Sequence, residues 1–155
     1  MTRVRPSGAF NDDYLAFLLV RAAQHVSRKI DAELRKRGIR TGVWRVLSIL
    51  DDGAGFPIGE LAELACLKQP AMSKLVDRLT AAGLVERRPS TRDQRKVLVF
   101  ITDRGRERLG DSLVRAKEHE RKILDKLIDE DVERLKATLR ALIDRGPSVG
   151  ASIPL

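Results

Sequence analysis

The chain contains one cysteine, Cys66, so it has no internal disulfide framework. It contains two histidines, His25 and His119. With that single thiol they form a poor basis for a metal site, and no metal is expected. No apolar run approaches the ~18 residues that a membrane span needs. Met1 to Phe10 carries no apolar signal-peptide core. No Ser-His-Asp, Cys-His, paired-carboxylate or glycine-rich phosphate signature is present. Together these absences point to a cytoplasmic, non-enzymatic chain with no cofactor and no membrane partner.

What is present is charge. The 155 residues are 43% hydrophobic and 34% charged, a globular composition, with 30 basic side chains against 22 acidic. A chain of this length can bury about two-thirds of its unfolded surface. The net charge is +8, and it is concentrated. Lys68 to Arg106, a quarter of the chain, holds ten Lys or Arg and only four acids, hence six of the eight net charges. A concentrated basic patch is the footprint of a polyanion partner, although charge alone also fits a solvated basic face.

Residue spacing gives the element order. Apolar residues at 15, 18, 22, 26, 30 and 34 mark one face of a long helix over Tyr14–Lys36, stopped by Gly38. Thr41 is placed to cap a second helix whose inner face is Val43, Val46, Leu47 and Leu50. Asp51 to Pro57 reads as a turn. A short helix over about 59–65 turns inward Leu61, Ala62 and Ala65. After a turn at Leu67, another runs from near Pro70 to Ala82 on Met72, Leu75, Val76 and Leu79. Leu84–Arg88 and Lys96–Thr102 are too short for helices and rich in strand formers, so they predict a hairpin with a polar loop. Thr102 and Asp103 open a long helix reaching Leu127, and a last one starts near Asp131. The fold class is mainly α with a β-hairpin wing. The lobe spans 41–105, oily-faced helical regions 11–37 and 106–145 flank it, and 146–155 is a disordered tail. The flanking helices should pack on each other and on a second copy.

Two short helices joined by a tight turn, then a basic hairpin, form a winged helix-turn-helix. A helix fits the major groove, and its outward polar residues meet base edges. The outward residues of the second short helix are Lys68, Gln69, Ala71, Ser73, Lys74 and Arg78. Gln69 can read adenine and Ala71 can touch a thymine methyl, while Ser73 and Lys74 can reach bases or phosphates. Arg78, a turn further on, suits phosphate. Arg92, Arg95 and Lys96 lie at the hairpin tip, where a wing can enter the minor groove. Asp93 is expected to hold Arg95 or Arg92 through a charge-assisted hydrogen bond.

The residues that carry a resemblance run through this region. They are Leu61-Ala62, Pro70 to Leu79, Gly83-Leu84-Val85-Glu86-Arg87, Asp93-Gln94-Arg95 and Ile101-Thr102-Asp103-Arg104-Gly105. In type, order and spacing over 41–105 the chain resembles the multiple-antibiotic-resistance regulator (MarR) family. The resemblance implies a homodimer with intertwined terminal helices and a near-palindromic double-stranded DNA operator, usually repressed. It also implies a small, often aromatic or phenolic, effector held between the dimer helices and the DNA-binding lobe. The chain departs from the family pattern in several places. Lys68 stands where the family often has Ser, and Gly59 is a substitute cap for the first short helix. No cysteine lies in the first helix, which puts thiol sensing by that route in doubt.

Trp44, the one tryptophan, flanks the core face of its helix. It is a packing residue or one wall of an aromatic-ligand pocket, with Arg21, His25 and Arg45 as polar partners. Each of the three also reads as an ordinary surface residue. Cys66 reads as a small buried thiol, with a redox switch as the alternative. The rival functions are a non-specific architectural DNA binder and a helical enzyme acting on an anionic substrate.

Overall fold

The computed structural model describes residues 13–110, 112–125 and 127–145. The expected N-terminal arm and C-terminal tail lie outside them. Helix α1 (Leu15–Lys36) ends with Arg35 and Lys36 in its last turn, where cations suit the negative end of the helix dipole. Its C-terminal half turns Leu34 into the interior, 1% exposed, and Ile39 follows it inward. Helix α2 (Thr41–Leu50) buries Val46, Leu47 and Leu50. Thr41 does not cap it. Arg40 is the cap residue, without a side-chain hydrogen bond. The Thr41 hydroxyl instead donates to Asp31 Oδ1 of α1 at 2.9 Å.

The segment expected as a turn contains a strand, β1 (Phe56–Pro57). Two residues are too few to show an alternating pattern, and proline argues against a strand except at an edge, which is where β1 lies. Helix α3 (Ile58–Leu64) starts directly after it, with Pro57 rather than Gly59 at the cap position. Helix α4 (Gln69–Ala81) follows the turn, with Pro70 in its first turn, where a missing N–H costs nothing. Strands β2 (Val85–Pro89) and β3 (Val97–Ile101) form the hairpin, and β3 is the centre of an antiparallel sheet in the order β1-β3-β2. The register pairs Phe56 with Val99 and Val85 with Ile101.

One core holds this lobe together. Val46, Leu47 and Leu50 of α2 meet Leu61 and Ala62 of α3, Met72, Val76 and Leu79 of α4, and Val85 and Val99 of the sheet. Helix α5 (Asp103–Leu109) closes it with Leu109. The α5 start explains the Thr-x-x-Gly pattern. Thr102 Oγ1 accepts from Gly105 N at 3.1 Å and donates to Gly83 O at 2.6 Å. Gly105 has no room for a side chain, since a Cβ there would lie 2.1 Å from Leu84 O.

The single long helix expected after Thr102 is broken. Gly110 takes φ 41° and ψ −138°, a conformation open only to glycine, and α6 (Ser112–Leu124) starts afresh. The side-chain period continues across the break, so the sequence pattern alone shows one helix. Helix α6 packs along α1, where His119 Nε2 lies 2.9 Å from Val26 O. Helix α7 (Asp129–Arg145) is tied to α6 by Lys136 and Glu120 at 3.3 Å, and none of its described side chains is buried. The N-terminal half of α1 is equally bare, with Leu15 55%, Leu18 41% and Val20 55% exposed.

Candidate nucleic-acid interface

Helix α4 buries one face and displays the other. Met72, Leu75, Val76 and Leu79 anchor it in the lobe core. Lys68, Gln69, Ala71, Lys74 and Arg78 stand exposed, and Ser73 is half-buried at the edge of that face. Lys68 is the cap residue and makes no side-chain capping bond, so the first N–H groups of α4 point outward at the positive end of the helix dipole.

The hairpin tip is a built turn. Ser90 Oγ accepts from the backbone N–H groups of Arg92 at 3.2 Å and Asp93 at 3.3 Å. Asp93 Oδ1 accepts from Arg95 N at 3.1 Å, and Lys96 N donates to Asp93 O at 2.9 Å. This corrects the expected role of Asp93, whose carboxylate holds the backbone of Arg95, not a guanidinium. An Asx turn at an aspartate two residues before the held N–H is the local habit of this side chain, and it outcompetes a long-range arrangement of two flexible arginines. The Arg92, Arg95 and Lys96 side chains are exposed.

The charges divide into two groups. One group is held in ion pairs at the surface: Arg87 pairs with Asp77 of α4 at 2.7 Å, Arg106 pairs with Asp51 at 3.0 Å, and Arg88 pairs with Glu86 while lying 5.4 Å from the centre of the Phe100 ring. The other group, Lys68, Lys74, Arg78, Arg92, Arg95 and Lys96, is also exposed and makes no ion pair among the described residues. Sequence reading did not find the Asp77–Arg87 link, which ties the exposed helix to strand β2. Nothing in the spacing of residues 77 and 87 singles out that pair from the other charges of the region.

The residues expected at an effector site are scattered between two helices. Arg21 and His25 are exposed one turn apart on α1. Trp44 is half-buried against the lobe core, and its Nε1 is buried without a hydrogen-bond partner among the described residues. Arg45 donates to Ala65 O at 2.9 Å, which ties α2 to the turn before α4. Two clefts among the described residues are lined by other side chains. One is walled by Leu124, Ile128 and Val132, the other by Ile30, Arg115 and His119. Glu33 borders the second, its carboxyl held below the usual carboxylate range by a hydrogen bond from Lys36 and the charge of that ammonium. Cys66 is exposed, not buried, and takes φ 54° in the turn between α3 and α4. The tight turn places this residue outside the core that Ala65 and Leu67 enter on either side. No cluster of metal-ligating side chains is found among the described residues, and no helix among them is long and apolar enough to cross a membrane.

A MarR family model matches residues 42–97. The chain is similar to a MarR family transcriptional regulator from Silicibacter pomeroyi DSS-3 of known crystal structure. The two share 35% identity and a TM-score of 0.76 over 88% of this chain and 97% of the other. It is 25% identical over 142 residues to the homoprotocatechuate degradative operon repressor of Escherichia coli, covering 92% of this chain and 96% of that protein. The crystal structure of CouR from Rhodococcus jostii RHA1 bound to p-coumaroyl-CoA superposes with a TM-score of 0.78 at 25% identity, covering 91% and 99% of the two chains.

Proposed function

The chain belongs to the MarR family of transcriptional regulators, and from that premise we propose that it acts as a homodimeric repressor bound to a near-palindromic operator. The lobe expected at 41–105, which α5 extends to Leu109, is the DNA-binding part, and α1, α6 and α7 are the dimerisation part. The observation that carries the reading is the division of charge. The cations on the outer face of α4 and at the hairpin tip are unpaired among the described residues, while Arg87, Arg88 and Arg106 are each held by a carboxylate. Unpaired, exposed cations on a groove-sized helix and a projecting hairpin suit phosphates and base edges. Gln69, Ala71, Ser73 and Lys74 face bases, Lys68 and Arg78 face phosphates, and Arg92, Arg95 and Lys96 enter the neighbouring minor groove. Asp93 shapes that tip.

The bare apolar faces of α1 and α7 support the second copy. The effector is an aromatic acid held near Trp44, with Arg21, His25 or Arg45 as polar partners. The curated relative named for the homoprotocatechuate operon and the solved relative bound to p-coumaroyl-CoA support that chemistry.

Footprinting on genomic fragments across a salt titration tests the reading. A regulator protects one defined two-fold site with binding that weakens steeply with salt. Uniform protection would make the chain an architectural binder. Phenolic acids that quench Trp44 fluorescence and release the protected fragment would support the effector, and an unchanged response in Trp44→Phe would remove Trp44 from its site.

A further inference from the structure

The lobe is joined to the terminal helices through two short junctions. The first is the 37–40 segment between α1 and α2, which turns at Gly38 with φ 66°. The second is Gly110, between α5 and α6. Both junctions use a left-handed glycine, and neither is stiffened by a continuous helix.

One side chain laces the two together. Arg108, two residues before the second junction, sends its Nη2 to Gly38 O at 2.9 Å and Arg37 O at 3.3 Å in the first. These carbonyls lie at the C-terminal end of α1, where acceptors are left over and the helix dipole is negative, so a guanidinium is well matched to them. Arg106 does something different on the same helix. It donates to Asp51 O and to Asp51 Oδ1, and so ties α5 to α2 inside the lobe. Of the two arginines, only Arg108 spans the boundary between the lobe and α1.

We propose that Arg108 is a positioning residue that fixes the tilt of the DNA-binding lobe on the dimerisation helices, and with it the separation of the two recognition helices in the dimer. The inference rests on the homodimer reading given above. A palindromic operator presents its half-sites about 34 Å apart, so the two α4 helices must hold that separation to bind together. A lobe swinging on two glycine junctions would sample a range of separations and meet the operator less often in register. The double hydrogen bond of Arg108 closes the triangle formed by α1, the lobe and Gly110, and with the Thr41–Asp31 bond beside the first junction it removes that freedom.

The chain supplies its own probe. Cys66 is its one cysteine, is exposed, and sits in the turn of the lobe next to α4. A nitroxide on Cys66 of the full-length dimer reports the distance between lobes by pulsed dipolar spectroscopy without any engineered site. The wild-type protein should give one narrow distance distribution in the absence of DNA. Arg108→Ala should broaden it and shift its centre. Arg108→Lys keeps the charge but lacks the planar terminal NH2 whose two hydrogens meet both carbonyls, and should fall between the two. Arg106→Ala, which loosens the lobe internally, should leave the distribution narrow. In parallel, duplexes selected from a random pool by the wild-type protein are re-made with one base pair added between half-sites. Arg108→Ala should lose less affinity on that insertion than wild type, a result that general destabilisation would not produce. An Arg108→Ala distribution with wild-type centre and width overturns the inference while leaving the dimer intact. Absence of any dipolar signal in the wild type shows a monomer, and overturns the dimer reading and the inference with it.

Discussion

At the scale of single residues, the hairpin tip is the place where charge and local geometry give opposite predictions. Asp93 is a carboxylate on a surface proposed to face phosphates. Simple electrostatics says that removing it should tighten DNA binding. Its Oδ1 holds Arg95 N at 3.1 Å, so it also shapes the turn from which Arg95 projects. Asp93→Ala should therefore weaken binding even though the protein gains positive charge, while Asp93→Asn, which keeps the acceptor oxygen, should bind at least as tightly as wild type. Fluorescence anisotropy at fixed salt decides it, and tighter binding by Asp93→Ala would remove the turn from the account. Arg95→Ala should cost about 1–3 kcal/mol of binding and flatten any preference for A·T pairs beside the half-site. The sequence showed which residues occupy this tip, because a polar loop between two apolar strands is a local signal. It did not show which atom Asp93 grips, because backbone and guanidinium donors lie equally near along the chain.

At the scale of elements, the turn from β3 into α5 is the most tightly specified join in the lobe. Thr102 serves two helix ends with one hydroxyl, accepting at the start of α5 and donating to Gly83 just beyond the end of α4. Thr102→Val keeps the shape and loses both bonds, which should lower unfolding free energy by about 1–2 kcal/mol in urea titration. Gly105→Ala forces a methyl against Leu84 O and should cost about 2–3 kcal/mol, with neighbouring backbone displaced. Equal stability of either variant to wild type would mean that the join relaxes freely. These elements were legible because Thr-x-x-Gly combines a cap with a steric requirement at fixed spacing. The elements that sequence reading missed were short or masked by continuity. Strand β1 has two residues, one of them proline, and exists only because β3 offers an edge. The Gly110 break falls inside an unbroken run of apolar spacing, and one glycine within such a run does not by itself stop a helix.

At the scale of the whole molecule, the open question is how many copies grip the DNA, and salt answers it. Among the described residues, the apolar face of α7 with Leu135 and Leu142, and that of α1 with Leu15 and Leu18, stay uncovered in one chain. A second copy would cover them and present two lobes to two half-sites. Each phosphate contact releases counterions, so log K falls with log salt at a slope of about −0.9 per contact. A substitution in a two-fold dimer is made twice. Arg78→Gln removes one cation from the exposed face of each α4, so it should reduce the slope magnitude by about 1.8, whereas a monomer would lose only about 0.9. The mean affinity should fall on every sequence alike, since a phosphate contact carries no base information. Gln69→Ala gives the complementary pattern, with an unchanged slope and weakened discrimination at one position in each half-site. Leu142→Asp, which places a charge on the proposed contact face of α7, should shift sedimentation equilibrium toward the single chain. If Arg78→Gln changes the slope by the single-contact amount in a protein that still sediments as a dimer, only one lobe engages the DNA, and the two-fold operator is wrong.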